Sequence, residues 1–193
     1  MTNISGCRIT PCSSRGQRVG ALGLTLALTV VLSPSPESRA RQGVGAHRTE
    51  IAGGSRGPSL EEIKLLEREC FDEVNKYRTF QGLDPLEFDG EVLVVARAHS
   101  RRMADEQFFS HTDGAGKTVR ERLEQARIRW RSVGENIASS KGYFNPVAAA
   151  IHGWLGSQGH RRNILAPGFR SAAVGAWIGD DGTVYFTQIF MTK

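Results

Sequence analysis

The tetrapeptide Gly179-Asp180-Asp181-Gly182 separates two β-rich stretches, residues 173–178 and 183–190, and reads as the turn of a terminal hairpin. What precedes it is largely helical. Ser59-Leu60-Glu61-Glu62 carries a capping-box signature just after Pro58, and apolar residues follow at Leu60, Ile63, Leu66, Cys70, Val74 and Tyr77, the spacing of one helix face. Gly82 ends that helix and Asp84-Pro85 turns the chain. A second helix is expected over residues 89–106, with Val92, Ala96, His99 and Met103 inward. A third is expected over 118–126, and a fourth from Pro146, which suits a first helical turn, to about Leu155. Residues 133–138 form a short strand candidate. Long helices first and a hairpin last argue for an α+β fold rather than alternating βαβ units. There is no internal repeat and no coiled-coil heptad.

The first forty residues have a different character. Arg8, Arg15 and Arg18 lead into residues 21–32, apolar apart from two threonines, and then into Pro34, Pro36, Ser38 and Ala40. This is the layout of a secretory signal peptide over residues 1–40 with cleavage after Ala40. The apolar run is shorter than the roughly 20 residues of a membrane-spanning helix, so membrane attachment is expected only if the segment stays uncleaved. Residues 41–58, rich in glycine and polar residues, read as a flexible linker, and residues 59–193 as one folded domain. The protein is accordingly expected to be secreted or extracytoplasmic, and monomeric. The full chain has a formal net charge of +5, and removing residues 1–40 takes away four arginines and one glutamate to leave +2. Cys70 is then the one remaining cysteine, so no internal disulfide is available and the core must hold by packing. Its place on the first helix stripe points to a small buried hydrophobe.

Three motifs carry the residues with distinctive chemistry: Phe108-Phe109-Ser110-His111, Gly134-Glu135-Asn136-Ile137, and the run from Trp154 through Ser157 and His160 to Leu165. His111 is expected at a helix exit, Glu135 in a strand, and His160 in a loop-like position just past the fourth helix; such positions on a rigid scaffold suit functional side chains. In order and spacing these motifs resemble the CAP superfamily, which includes cysteine-rich secretory proteins, insect antigen 5, plant pathogenesis-related proteins and bacterial relatives. The resemblance covers roughly residues 61–190. It implies a three-layer α-β-α sandwich with a small central, mostly antiparallel sheet. It also implies a cleft lined by two histidines and two acidic residues, in which the histidine pair can hold a divalent metal. His111, Glu135 and His160 fit that pattern, whereas the second acidic position is Ser157 here. The lack of disulfides sets the chain beside the bacterial members. Asn75 and Arg78 match an Asn-x-x-Arg pair common in the family's first helix and are read as structural.

Imidazole suits zinc, copper or nickel, and two histidines leave coordination positions open unless Glu135 or water completes the site. There is no His-Glu-x-x-His and no cysteine ligand pair. Glu135 can equally orient a histidine from behind, or the cleft can be a hydrogen-bond network without metal. Ser157 near His160 invites a hydrolase reading, but Leu155 stands where a Gly-x-Ser-x-Gly elbow needs glycine, and no oxyanion motif accompanies it. The expectation is therefore an exported binding module with no catalytic residue assigned. Its cleft (His111, His160, Glu135, Ser157) is suited to zinc or another divalent cation and to a small or envelope-derived ligand such as a lipid, glycan or envelope polymer. The alternative is a metal-assisted or Ser/His hydrolase acting on peptides or envelope material. His99 is read as a core histidine. Arg120, Arg122, Arg127, Arg129 and Arg131 surround Trp130 in a basic run suited to phosphate-rich polymers or acidic glycans, diluted by Glu121 and Glu124. Nucleic acid is not expected as a partner.

Overall fold

The computed structural model describes residues 58–193 and a short strand at Cys7–Ile9. The cleavage point after Ala40, the apolar run and the linker up to residue 57 lie outside the described residues. In chain order the elements are β1 (Cys7–Ile9), α1 (Leu60–Phe80), β2 (Glu87–Phe88), α2 (Gly90–Asp105), α3 (Val119–Gln125), β3 (Ser132–Ser140), α4 (Pro146–Gly156), α5 (Gln158–Leu165), β4 (Ser171–Ile178) and β5 (Val184–Thr192). The sheet runs β1-β3-β5-β4-β2. Its three long strands are antiparallel, and the short outer strands add in parallel, β1 on β3 and β2 on β4.

Local chemistry sets the boundaries. Ser59 accepts the Glu62 backbone N–H at 3.2 Å while the Glu62 carboxylate takes the Ser59 N–H at 2.9 Å, the capping box read from the sequence. Asp89 caps α2 through the N–H groups of Glu91 and Val92, and Asn145 caps α4 ahead of Pro146. The β4–β5 turn closes where Gly182 takes a left-handed φ of 77°, a conformation open to glycine at little cost.

Strand alternation divides the core in two. On one face Cys70 and Val74 of α1 and Val147, Ala150 and Trp154 of α4 pack on Ala172, Val174, Ala176, Phe186 and Phe190. On the other, Val92, Val95 and Ala96 of α2 and Leu123 of α3 pack on Ala173, Ile189 and Met191. The result is an α-β-α sandwich. Trp154 is fully buried, and its indole N–H donates to the Ile137 carbonyl at 3.0 Å, which satisfies its polar atom. Cys70 is a buried free thiol, and burial pushes its pKa up. Leu60, by contrast, is largely exposed, because the stripe meets the sheet only from Ile63 onward.

Three contacts tie the layers together. A side chain at Gly175 of β4 would collide with the backbone of Ala96 and Arg97, so α2 lies directly on the strand there. Ser100 of α2 donates to the Gly175 carbonyl at 2.9 Å. Glu67 of α1 is buried, receives a bidentate pair from Arg97 of α2 at 2.6 and 2.7 Å, and accepts the Ala176 backbone N–H at 3.1 Å. Asn75 makes reciprocal bonds with the Leu86 backbone, and Arg78 donates to the carbonyls of Asp84, Ile164 and Ala166. That pair is structural, but it fastens α1 to the approach to β2 and to the end of α5 rather than to the centre of the sheet.

Two expectations need correction. Residues 158–165 are a helix, α5, so His160 sits on a helical turn and not in a loop. The strand expected over 133–138 extends over Ser132–Ser140, long enough to pair with the whole of β5.

Candidate functional site

Glu135 lies in β3 opposite Ile189 of β5, and its side chain is almost fully buried. Both carboxylate oxygens are engaged. Oε1 receives His111 Nδ1 at 2.8 Å and Oε2 receives the Arg122 guanidinium at 2.7 Å. Burial alone would raise the Glu135 pKa, but the bond from His111 and the charge of Arg122 hold it below the ordinary carboxylate value. An ionised carboxylate only accepts, so Nδ1 of His111 carries a proton, and in the neutral ring the remaining lone pair lies on Nε2.

His111 is presented by the loop between α2 and α3, and several bonds fix that loop. Arg122 of α3 donates to the His111 carbonyl at 3.0 Å as well as to Glu135. His99 of α2 places Nε2 3.0 Å from the Ser110 carbonyl. Buried Asp113 accepts the backbone N–H groups of Ala115 and Lys117 and an Arg102 bond of 2.7 Å. His160 approaches from α5, which is held to β3 by Asn136 and Asn163: Asn136 Nδ2 donates to the His160 carbonyl at 3.2 Å, and Asn163 Nδ2 donates to the Glu135 carbonyl and to Asn136 Oδ1.

The two imidazoles converge, with ring centroids 6.3 Å apart and planes tilted by 37°. His160 is almost wholly buried, and burial, assisted by the neighbouring His111, lowers its pKa to about 4. Neither of its ring nitrogens, nor Nε2 of His111, has a hydrogen-bond partner among the described residues. Ser157 is the half-buried hinge between α4 and α5; its N–H bonds to the Gly153 and Trp154 carbonyls and its own carbonyl accepts from Arg161. No bond joins its hydroxyl to His160. His99 is buried as expected, with its pKa lowered to about 4 by burial, but its Nδ1 also has no partner among the described residues.

Arg122 reads from the sequence as one member of a solvated basic run. It is in fact buried and committed to Glu135. Its spacing from Thr118 marks a helix, but nothing in the sequence signals a buried carboxylate thirteen residues downstream. Asn163, three residues after His160, is a second site residue that sequence reasoning misses. Among the described residues no set of three or more His, Cys, Asp and Glu side chains is arranged to hold a metal ion. A groove of about 550 Å³ between the end of α2 and the β4–β5 hairpin, lined by Phe108, Trp177, Asp180 and Tyr185 among others, does not include the histidine pair.

With this geometry in hand, residues 71–190 match the pattern described as "CAP: Cysteine-rich secretory protein family". The chain belongs to that family. Two curated relatives from Bacillus subtilis, the "Uncharacterized membrane protein YlbC" and the "Uncharacterized protein YkwD", are each 33% identical to it, over 66% and 68% of this chain. The match spans 34% and 49% of those proteins, so this chain covers less than half of the length of either. Among solved structures, an extracellular SCP-domain protein from Bacillus anthracis is 31% identical with a TM-score of 0.60, covering 72% of this chain and 45% of that one. An outer surface protein from Borrelia burgdorferi, 17% identical with a TM-score of 0.63 over 72% of this chain and 98% of that one, shares the fold. No helix among the described residues is long and apolar enough to cross a membrane.

Proposed function

We propose that this CAP domain works outside the cytoplasm as a binding module whose cleft presents His111 and His160 as a two-nitrogen site for a borderline divalent cation such as zinc. The observation that carries the reading is the set of buried ring nitrogens without protein partners, His111 Nε2 and both nitrogens of His160. Neutral imidazole nitrogen is a ligand; a buried nitrogen with neither proton acceptor nor donor opposite it is costly unless something else occupies the space. Glu135 does not fit as a direct ligand, since both its oxygens are already used. It fits as the partner behind His111, fixing the tautomer that turns Nε2 outward. Two protein ligands alone make a weakly held ion, and the ion would supply open positions to an oxygen-bearing ligand. Export is supported by the basic-apolar-small layout of residues 1–40, whose removal would take β1 from the sheet edge and leave the other four strands, and by the 31% identical extracellular SCP-domain protein.

The serine-hydrolase alternative lacks its first requirement, a hydroxyl bonded to a base, because His160 accepts nothing from Ser157. Calorimetric titration of chelator-stripped protein with Zn2+ tests the binding reading. Binding is expected to be abolished in His111→Ala and His160→Ala, and to weaken by about 10- to 100-fold in Glu135→Gln, the range for loss of an outer-shell partner. Zn2+ affinity that survives both histidine changes, or that is absent from the parent protein, overturns it.

A further inference from the structure

We infer that the face formed by Arg120, Arg127, Arg129 and Arg131 binds an extended phosphodiester-linked polyol. These four guanidiniums are exposed, and none has an ion pair among the described residues. Burial alternates through the segment: Arg127, Arg129 and Arg131 point out, while Ile128 is buried and Trp130 half-buried against the α2–α3 core. Arg127, Arg129 and Arg131 rim a groove of about 290 Å³ with Glu91 and Lys193; the Lys193 ammonium is shared between Asp89 at 3.0 Å and Glu91 at 3.2 Å, so the three arginines carry the positive charge of the groove.

Alternation sets an upper bound on the spacing. Alternate residues of a fully extended chain repeat at about 6.6 Å, and Arg127, Arg129 and Arg131, in the irregular segment leading into β3, stand no further apart than that along the backbone. Successive phosphates of a glycerol-phosphate chain are separated by the same number of backbone bonds as alternate residues of a peptide, so one phosphate can meet each arginine. Arginine in turn suits phosphate through its fork of donors. Single-stranded nucleic acid shares that spacing, but sequence-tolerant binders of single strands need open aromatic platforms for the bases. The aromatic ring of this face, Trp130, is already covered by the Arg120 guanidinium at 5.6 Å from its centroid. The face therefore favours a polymer without bases.

A second observation is independent of charge. Arg127 closes α3 in a left-handed conformation, φ 58°, with its N–H on the Glu124 carbonyl and the Ile128 N–H on the Leu123 carbonyl. This is the cap position where glycine is the usual occupant, because a side chain there is strained. Gln107 closes α2 in the same way with φ 53°, so the strained cap is not peculiar to this face; what the cap does here is turn the Arg127 side chain outward at the head of the arginine row.

The test is titration with a synthetic glycerol-phosphate oligomer. Three phosphate contacts predict that log K falls with log salt at a slope near −2, about a 20-fold loss from 50 to 200 mM. At 0.1 M salt, Arg127→Ala/Arg129→Ala/Arg131→Ala should bind about 100-fold more weakly by the same relation, with thermal melting showing that it stays folded. Arg127→Gly separates ligand contact from structure: it should melt about 2 °C higher, as strain is relieved, and yet bind about fivefold more weakly. No binding by the parent protein, undiminished binding by the triple variant, or equal or tighter binding of oligo(dT) or polyglutamate of the same charge overturns the proposal.

Discussion

Acid should weaken this fold before its carboxylates titrate, and the cause is the pair of buried histidines. His99 and His160 have folded pKa values of about 4 against 6.5 for the free side chain, both lowered first by burial. A depressed folded pKa means that between pH 6.5 and 4 the unfolded chain takes up protons that the folded chain refuses. Stability from these groups is therefore present above pH 6.5 and is lost as pH falls through that window. At pH 5 the linkage relation gives about 2 kcal/mol for His99, and about 1 kcal/mol for His160 once discounted by half for solvent screening at the cleft. A loss of about 3 kcal/mol is a large part of a typical domain stability of 5–15 kcal/mol. Glu135 does not contribute in this window: its folded pKa lies below 4.5, so its share is present above that value and is lost only as pH falls further. Urea titrations at pH 7.0, 6.0 and 5.0, with chelator present, should show the unfolding free energy falling steadily, and His99→Gln should flatten the dependence by about two-thirds whatever its effect at pH 7. A stability that is level from pH 7 to 5, or a His99→Gln profile parallel to the parent, refutes the argument.

Gly175→Ala should cost about 3–5 kcal/mol in urea denaturation, combining overpacking of α2 on β4 with loss of the buried Ser100 bond; a loss under about 1 kcal/mol would mean that α2 can retreat freely. Arg122→Met leaves Glu135 buried with half its partners and should destabilise by about 3–5 kcal/mol, most of it recovered in Arg122→Met/Glu135→Gln. Thermal melting of the single and double variants checks this, and a double variant as unstable as the sum of the singles contradicts it.

The sequence is most readable where a backbone demand has a side-chain signature. The Ser59 box, Pro146 and the Gly179–Gly182 turn each announce an element boundary, and α1 shows its stripe plainly. Helix α5 is invisible in the sequence because its buried positions are His160 and Ile164, so half of its inward stripe is a polar residue. The two residues of β2 are too few to show any period. At the site, the convergence of His111, Glu135 and His160 is legible through the order of three motifs and not through periodicity. Arg122 is not legible at all, since a guanidinium on a helix reads the same whether it meets water or a buried carboxylate.

The Glu67 carboxylate has a consequence beyond joining two helices. Because β2 covers only the start of β4, the outer side of Ala176 would otherwise be an open hydrogen-bonding rim, ready to template a strand from another chain. Glu67 fills that rim with an acceptor already satisfied by Arg97, and at the opposite border Asn163 takes the Glu135 carbonyl in the same way. Side chains thus do at both margins what barrel closure does elsewhere. An incoming strand would have to displace the Glu67–Arg97 ion pair along β4 or the Asn163 amide along β3 before it could bond at those positions, which guards the domain against polymerising through its own sheet.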